Sequence, residues 1–479
     1  MNHLASIRNG TAALLLLLPT LASAAGIEYP DNGTLSIGRG GAWAANPSDG
    51  LAMQYNPAGF AQQRGWNATI DVRAAMQQTG FTSTSLSGPS ISNSGGPFPG
   101  PSAALSYGMG QVGPFSELTF AVGATGPSAI GKSKYPSDGA QRYALRSTDY
   151  FIAYYSASVA AAIGDKLRFG ITAQAVHGSA KFDQAVWSGM GCLDSKNQTA
   201  DATTGECTTK AGATAKDPGT SFDAVGTFEG SNSITPAAVI GVTFLPIPEL
   251  AIGASYRTGV HFDAVGTLTN QLPASAANAG ISVQGNSADL TLDFAPTARL
   301  GALWKATERL EVELDGVWEG WSALKDIIIH THNINIMYNN APTALPDVVL
   351  PHHFKDSYSA RLGADYVALP DRLKVRAGYL FETSAVPPQY ASVDFGNWQR
   401  NAVSVGGSVR LYGMWLDLAY AHHFLATQTV TDSQVKAIVS PTTLWQSNTS
   451  VVGNGTYTAS LDVLSLSLRI PFGSVGGGL

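Results

Sequence analysis

Residues 373–382 read LKVRAGYLFE, and their side chains alternate in character. In an extended chain Leu373, Val375, Ala377, Tyr379 and Phe381 fall on one face, and Lys374, Arg376, Gly378, Leu380 and Glu382 on the other. An apolar face backed by a charged one suits a wall between lipid and a polar lumen. The tight connection Leu369-Pro370-Asp371-Arg372 joins this stretch to another of the same kind at 353–368. Working outward, period-two segments recur near 66–82, 100–110, 115–126, 143–163, 167–187, 221–245, 250–270, 289–305, 310–329, 400–411, 414–429 and 458–472, fourteen in all. An even number lets an up-and-down barrel close with both ends on one side.

The connections sort by length. Gly164-Asp165-Lys166, Pro246-Ile247-Pro248-Glu249, Ala306-Thr307-Glu308-Arg309 and Tyr412-Gly413 are tight. Those between them, at 188–220, 271–288, 330–352, 388–399 and 430–457, are long and polar or rich in Gly and Pro. Short turns on one edge and long loops on the other match the periplasmic and extracellular ends of a transmembrane barrel, whereas a soluble sandwich or propeller has no reason to segregate them. The last strand, SLDVLSLSLRIPF, sets Leu464, Leu466, Leu468, Ile470 and Phe472 against Val463, Ser465, Ser467 and Arg469, and residues 473–479 follow as a flexible tail.

Composition agrees. Arg8, the apolar run Ala12 to Leu18 and the Ala22-Ser23-Ala24 cleavage pattern mark residues 1–25 as a secretory signal peptide, too short in its apolar part to span a membrane as a helix. Only 13% of residues are charged, against roughly 25% in a soluble domain, yet no later apolar run reaches the length of a spanning helix. The 44% hydrophobic content and 17 Tyr fit a wall apolar on one side, and a net charge of −6 without a basic tract speaks against a nucleic-acid partner. Cys192 and Cys207 lie in a loop-like stretch of an exported chain and are expected to form one disulfide staple, worth about 3 kcal/mol in the chain-entropy model.

Fourteen strands enclose a lumen too wide for side chains alone to fill, since about eight is the number at which they suffice. The segment 26–65, rich in Gly, Ala, Asn and Pro and without sustained periodicity, is expected to plug it, ahead of a barrel over 66–472. Within it, LSIGRGGAWAANPSDGLAMQYNPAGFA (35–61) resembles the N-terminal hatch of the FadL-type outer-membrane transporters. The Asn-Pro-Ala motif of that family maps onto Asn56, Pro57 and Ala58. DGVWEGWS (315–322), FKDSYSARLGADY (354–366) and VRAGYLFETSAVP (375–387) are similar to late-strand signatures of the family, so the resemblance covers the mature chain.

That resemblance implies uptake of long-chain fatty acids or aromatic hydrocarbons, with lateral release into the membrane through a gap at a kink in the third strand. ELTFAVGATGPSAIG (117–131) offers the matching place at Gly123, Gly126 and Pro127, with a plain strand end as the other reading. If the kink exists, the Asn-Pro-Ala turn is expected to lie against it. Tyr150, Ile152 and Tyr154 on the likely inner face of the fourth strand would line an apolar ligand pocket.

Inward parity also collects charge: Arg168, Arg257, Arg299, Arg361, Lys374, Arg376, Arg410 and Arg469 with Glu311, Glu313, Asp315, Asp365 and Asp417. A self-neutralising network that braces the plug is one reading; an Arg or Lys pairing with a substrate carboxylate, with Arg361 and Arg376 as candidates, is the other. Trp318 and Trp321 read as interface anchors or wall packing. His352-His353, His422-His423 and His330-x-His332 read as loop or rim residues, since neighbours in a strand point to opposite faces, and no metal site, cofactor or nucleophile elbow is expected. The expected protein is a monomeric barrel among outer-membrane lipid and lipopolysaccharide that carries a hydrophobic small molecule and performs no catalysis. A diffusion porin and an adhesin or phage-receptor barrel are the alternatives.

Overall fold

A computed structural model describes residues 31–86, 88–126, 132–187, 198–200, 207–209, 223–273, 276, 280–338, 340–394, 398–438 and 451–472. The expected signal peptide, the tail, Pro127 and Cys192 lie outside these residues, and so does the expected disulfide.

Fourteen antiparallel strands close into a barrel: β1 (Gly65–Ser83), β2 (Phe98–Gly108), β3 (Glu117–Thr125), β4 (Ser147–Ile163), β5 (Leu167–Trp187), β6 (Thr235–Ile247), β7 (Leu250–Arg257), β8 (Thr297–Lys305), β9 (Leu310–Glu319), β10 (Ser357–Leu369), β11 (Leu373–Glu382), β12 (Arg400–Leu411), β13 (Met414–Leu425) and β14 (Gly455–Phe472). Each pairs with its neighbour in sequence order. The seam is β14 on β1, continuous from Trp66↔Phe472 to Ser83↔Gly455, and the rings of Trp66 and Phe472 stack across it. Closure gives each of the fourteen strands a neighbour on both sides. The short turns behave as read: Tyr412 (φ 51°) and Gly413 (φ 83°) make the two-residue turn with both φ positive that matches the twist of a hairpin.

The parity of the wall holds around the ring. Ile70, Val72, Tyr379, Leu464 and Leu466 face out and are exposed, while Asp71, Arg73, Arg376, Leu380 and Ser465 face in and are buried. Trp318 faces out and donates its indole N–H to Asp356 Oδ2 at 3.0 Å. Trp321 is buried in the wall, donating to Glu319 Oε2 at 2.8 Å and packing edge-on to Phe354.

Four of the expected long strands are interrupted, at residues 232–234, 258–259, 295–296 and 320–325, and β10 is preceded by a similar break at 352–356. The pieces beyond the breaks, Asp223–Ser231, Val260–Gln271, Ser287–Phe294, Asp326–His332 and Val348–Pro351, pair in that order onto the outer half of β5 and raise the wall into a ridge. The residues at the breaks explain them. Pro296 has no N–H for the ladder, and at 232–234 the Asn232 side chain substitutes for the backbone. Its Oδ1 accepts from Gly178 N at 2.7 Å and its Nδ2 donates to Val176 O at 3.1 Å.

Polarity inverts across the breaks. On β7 and β8 the apolar residues Tyr256 and Leu300 face out and Arg257 and Arg299 face in. On the ridge Val260, Phe262, Ala264, Leu290, Leu292 and Phe294 face in, while His261, Asp263, Asp293 and Thr291 face out. The wall thus meets lipid below and water above. Its apolar inward face above the breaks creates a hydrophobic interior outside the bilayer.

Candidate functional site

Residues 31–64 lie within the barrel and are almost wholly buried. Two short helices, α1 (Thr34–Ile37) and α2 (Ala52–Tyr55), and a 3-10 turn over Pro57–Gln62 are joined by irregular chain. Asn56 starts that turn with an extended backbone, and its Oδ1 accepts from Ala58 N at 3.1 Å, with Pro57 at the first helical position where its missing N–H costs nothing. Its Nδ2 donates to Ala44 O (2.8 Å), Val242 O (3.1 Å) and Thr243 Oγ1 (3.2 Å). Asn56 therefore ties three parts of the molecule together: its own turn, the chain at Ala44 and strand β6.

Glycines in the wall permit that approach. A Cβ on Gly170 would lie 2.5 Å from the Pro57 carbonyl carbon, and one on Gly241 would collide with Asn56 Oδ1. The Asn56-Pro57-Ala58 turn thus packs on β5 and β6, not on the end of β3 as the sequence led us to expect. The residues nearest the end of β3 are the preceding ones. Met53 covers Gly123, where a Cβ would lie 2.6 Å from Met53 Cε, and Gln54 Nε2 donates to Thr125 Oγ1. Closeness in sequence to the motif was misleading because α2 and the 3-10 turn present different sides to the wall.

The segment is held differently on its two sides. Against β9–β11 the contacts are ionic: Arg39 donates to Glu313 Oε2 at 2.8 Å and to Asp365, Asp315 Oδ2 accepts from Trp43 N (2.8 Å) and Ala44 N (2.9 Å), and Arg361 pairs with Asp31. Arg376 reaches Asp365 Oδ1 at 2.7 Å and Ser408 Oγ at 2.8 Å, and Arg469 grips Asp417 through two bonds. Against β2–β4 the contacts are small and apolar, with Ala52, Met53, Phe60 and Ala61 on Ala104, Ala121, Ala160 and Ala162. Of the charges read as inward, Arg361, Arg376, Arg469, Glu313, Asp315, Asp365 and Asp417 bond with one another or with residues 31–44, whereas Arg410 is exposed. Arg361 and Arg376, carried forward as ligand contacts, are committed to carboxylates beside the segment and do not meet the aromatic residues of β4. Parity places a charge inside but leaves its partner to the register of the next strand.

Tyr150, Ile152 and Tyr154 do come together, on the inner face of β4 in one apolar cluster with Val176, Phe228, Phe262 and Phe294. Tyr150 and Ile152, with Ser179, Ala180, Phe262, Leu292 and Phe294, line a small apolar void of about 10 Å³. Tyr150 and Leu292 also bound a second small void of about 20 Å³, which reaches Ala144, Leu350 and Asp394. Those three residues in turn border a cleft of about 1670 Å³, mouth included, between Leu345–His353 and Gln434–Ile438. Three spaces thus adjoin one another from the outer mouth to Ile152 and Phe294. Sequence reading missed Phe262, Leu292 and Phe294 because they sit on ridge pieces. The signal available was the reversed alternation in ADLTLDF, where the acids and Thr lie opposite Leu290, Leu292 and Phe294.

Among the described residues the ladder between β2 and β3 runs from Gly108↔Thr119 to Ser102↔Thr125. Among the described residues Phe98–Pro101 pairs with β1, and beyond Thr125 it is Lys132–Lys134 that pairs with β4 on that side. Pro99 and Pro101 carry no N–H, and a Cβ on Gly126 would collide with Pro101 O, so the close approach at this point requires glycine. The histidines are paired rather than gathered: His352 Nε2 with Asp394 (2.9 Å), His422 with Asp462 (2.7 Å), His330 with Asp347 (2.8 Å) and His332 with Asp289 (2.8 Å). Among the described residues no group of three or more His, Cys, Asp or Glu is placed to hold a metal ion.

Residues 15–472 match the family model described as outer membrane protein transport protein (OMPP1/FadL/TodX). Crystal structures with the same fold include a Pseudomonas aeruginosa FadL homologue (TM-score 0.73, 16% identity, 94% of this chain and 100% of that one). The Ralstonia pickettii toluene transporter TbuX (0.62, 17%, 92% and 99%) and the P. putida toluene transporter TodX (0.64, 17%, 93% and 99%) are further examples. At these identities the likeness concerns the fold. No curated protein sequence matches the chain.

Proposed function

The chain belongs to the OMPP1/FadL/TodX family of outer membrane transport proteins, and from that membership we propose that it takes up long-chain fatty acids or aromatic hydrocarbons and releases them sideways into the membrane. It is a transport protein of the outer membrane and not an enzyme. The observation that carries the substrate class is the series of adjoining spaces from the outer cleft to Ile152, Phe262 and Phe294, inside a barrel whose lumen the N-terminal segment fills. An ion or sugar pore needs a wetted lumen; this one offers Tyr, Phe, Leu and Ile. The polar lipopolysaccharide surface excludes hydrophobic solutes, and a protein path past it that avoids periplasmic water supplies what they lack.

In the mechanism we propose, the ligand enters at the cleft, passes Tyr150 and rests among Ile152, Phe262, Leu292 and Phe294. Residues 31–64 act as the hatch. Their ionic side stays fixed on β9–β11 while the apolar side, α2 with Met53 and Gln54, shifts along the alanine and glycine surface of β2–β4. That shift uncovers the end of β3 at Thr125 and gives the ligand a way to the lipid. A single barrel suffices, since every part of the route lies within one chain. Deleting residues 49–60 should convert a nearly non-conducting barrel in a planar bilayer into a steadily conducting one; unchanged conductance would rule out the hatch.

A further inference from the structure

The outer cleft and the first void behind it share Ala144, Leu350 and Asp394, and that void, about 20 Å³, has room for no more than a water molecule. A solute entering from the mouth must therefore part the walls at these residues. One wall is the piece Val348–Pro351 with His352 directly after it, and the other is the connection that carries Asp394.

His352 ties the two walls together. Its Nε2 lies 2.9 Å from Asp394 Oδ2 and its Nδ1 lies 2.8 Å from Leu350 O. A carboxylate oxygen and a carbonyl oxygen both accept. A neutral imidazole has one N–H and satisfies one of them, whereas the imidazolium has two and satisfies both, so the geometry specifies the charged form. Each wall is anchored behind this contact. His352 N and His353 N donate to Lys325 O at 2.8 and 2.6 Å on one side, and the Tyr135 hydroxyl donates to Val393 O at 3.0 Å on the other. Among the charges nearby, Asp326 adds to the attraction for the imidazolium. Asp394 also faces Tyr135, Tyr150 and Tyr457, phenols that stay neutral below about pH 9. His353, Asp347 and Lys436 line the cleft outside the pair.

We propose that the His352–Asp394 pair is the outer latch of the transport path: imidazolium and carboxylate hold the throat between Leu350 and Asp394 shut, and loss of the His352 proton to solvent in the cleft releases it. The proposal rests on the transport reading and adds control of entry to it. Burial disfavours the charged imidazole, but Asp394 and the Leu350 carbonyl outweigh it and hold the group above its ordinary value. The latch is therefore complete below about pH 6.5 and opens as pH rises through the higher folded-state value.

The test sets one cysteine beyond the throat, Leu292→Cys, and another in the open cleft, Val349→Cys, each in the full chain carrying Cys192→Ser and Cys207→Ser, in nanodiscs. Methyl methanethiosulfonate, small and uncharged, labels both, and the rate at the inner site is divided by the rate at the outer one. With His352 and Asp394 native, this ratio should rise about tenfold between pH 5.5 and pH 8.5, the weight of one charged hydrogen bond. His352→Ala should give the high ratio at both pH values. Asp394→Asn should give the low ratio at both, because an amide accepts from Nε2–H and donates to a bare Nε2 and so holds either form. It carries the same cysteine, so a pH dependence belonging to the thiol would survive in it. A ratio that is flat in the native pair, a pH dependence retained in Asp394→Asn, or a low ratio in His352→Ala would overturn the latch. Failure of the transport reading would look different: labelling would follow the latch, but cells would gain no uptake of toluene or hexadecanoate.

Discussion

Replacing Asn56 separates a structural keystone from an ordinary turn residue. Asn56→Ala removes the cap on Ala58 N and the donations to Ala44 O, Val242 O and Thr243 Oγ1. The three donations share two hydrogens, so at about 1 kcal/mol per net bond the loss is about 3 kcal/mol. That is about two decades in the equilibrium between a seated and an unseated segment. Hydrogen exchange in detergent micelles reads it directly: amides of Ala52–Gln62 should lose about a hundredfold in protection while those of β10–β13 keep theirs. Asn56→Asp sharpens the test. It retains the cap but sets a carboxylate against the Ala44 and Val242 carbonyl oxygens in a buried site, and should therefore exchange faster than the alanine variant. If Asn56→Ala left protection within threefold of the wild type, or if Asn56→Asp proved the milder change, the keystone reasoning would be wrong.

Close packing of hatch on wall gives a second expectation. A Cβ on Gly378 would collide with the Arg39 backbone, whereas one on Gly316 meets nothing within 4 Å. Gly378→Ala should raise bilayer conductance and lower the melting temperature, and Gly316→Ala should change neither. Arg39→Met leaves Glu313 and Asp365 buried without their shared partner and should cost about 3–5 kcal/mol, measured by denaturant unfolding in micelles. Adding Glu313→Gln should recover part of that. At the outer mouth burial disfavours the charged form of His352, but Asp394 at 2.9 Å and the Leu350 carbonyl outweigh it and hold the imidazolium above its ordinary value. Its contribution is complete below the unfolded-state value of about 6.5 and is lost as pH rises through the higher folded-state value. Melting temperature should therefore decline above about pH 6.5 in the wild type and decline less in His352→Gln, and parallel declines would refute the pairing.

The barrel was legible because a strand between lipid and lumen must alternate, and most of LKVRAGYLFE and SLDVLSLSLRIPF does so. The breaks at 232–234, 258–259 and 295–296 were not, since alternation resumes on both sides and only its phase changes. Across Thr258-Gly259 the inward set passes from Arg257 to Val260, an odd step, and a parity count carried through it assigns the ridge to the wrong face. Tyr150, Ile152 and Tyr154 were readable from their own strand. Phe262 and Leu292 were not, because they join that pocket only once the ridge folds over. Among the inward arginines, parity could not tell Arg361, held by Asp31 across 330 residues of sequence, from Arg299, which has no such partner.

The central claim is that hydrophobic molecules pass through a barrel that stays closed to ions. Cells with an intact lipopolysaccharide layer, with and without this chain, should be compared for uptake of labelled hexadecanoate and toluene, beside the conductance of the same protein in a planar bilayer. Uptake of at least one of the two well above the control, with conductance near background, is the expected result. Steady open-pore conductance with no gain in uptake of either would mean a diffusion pore instead.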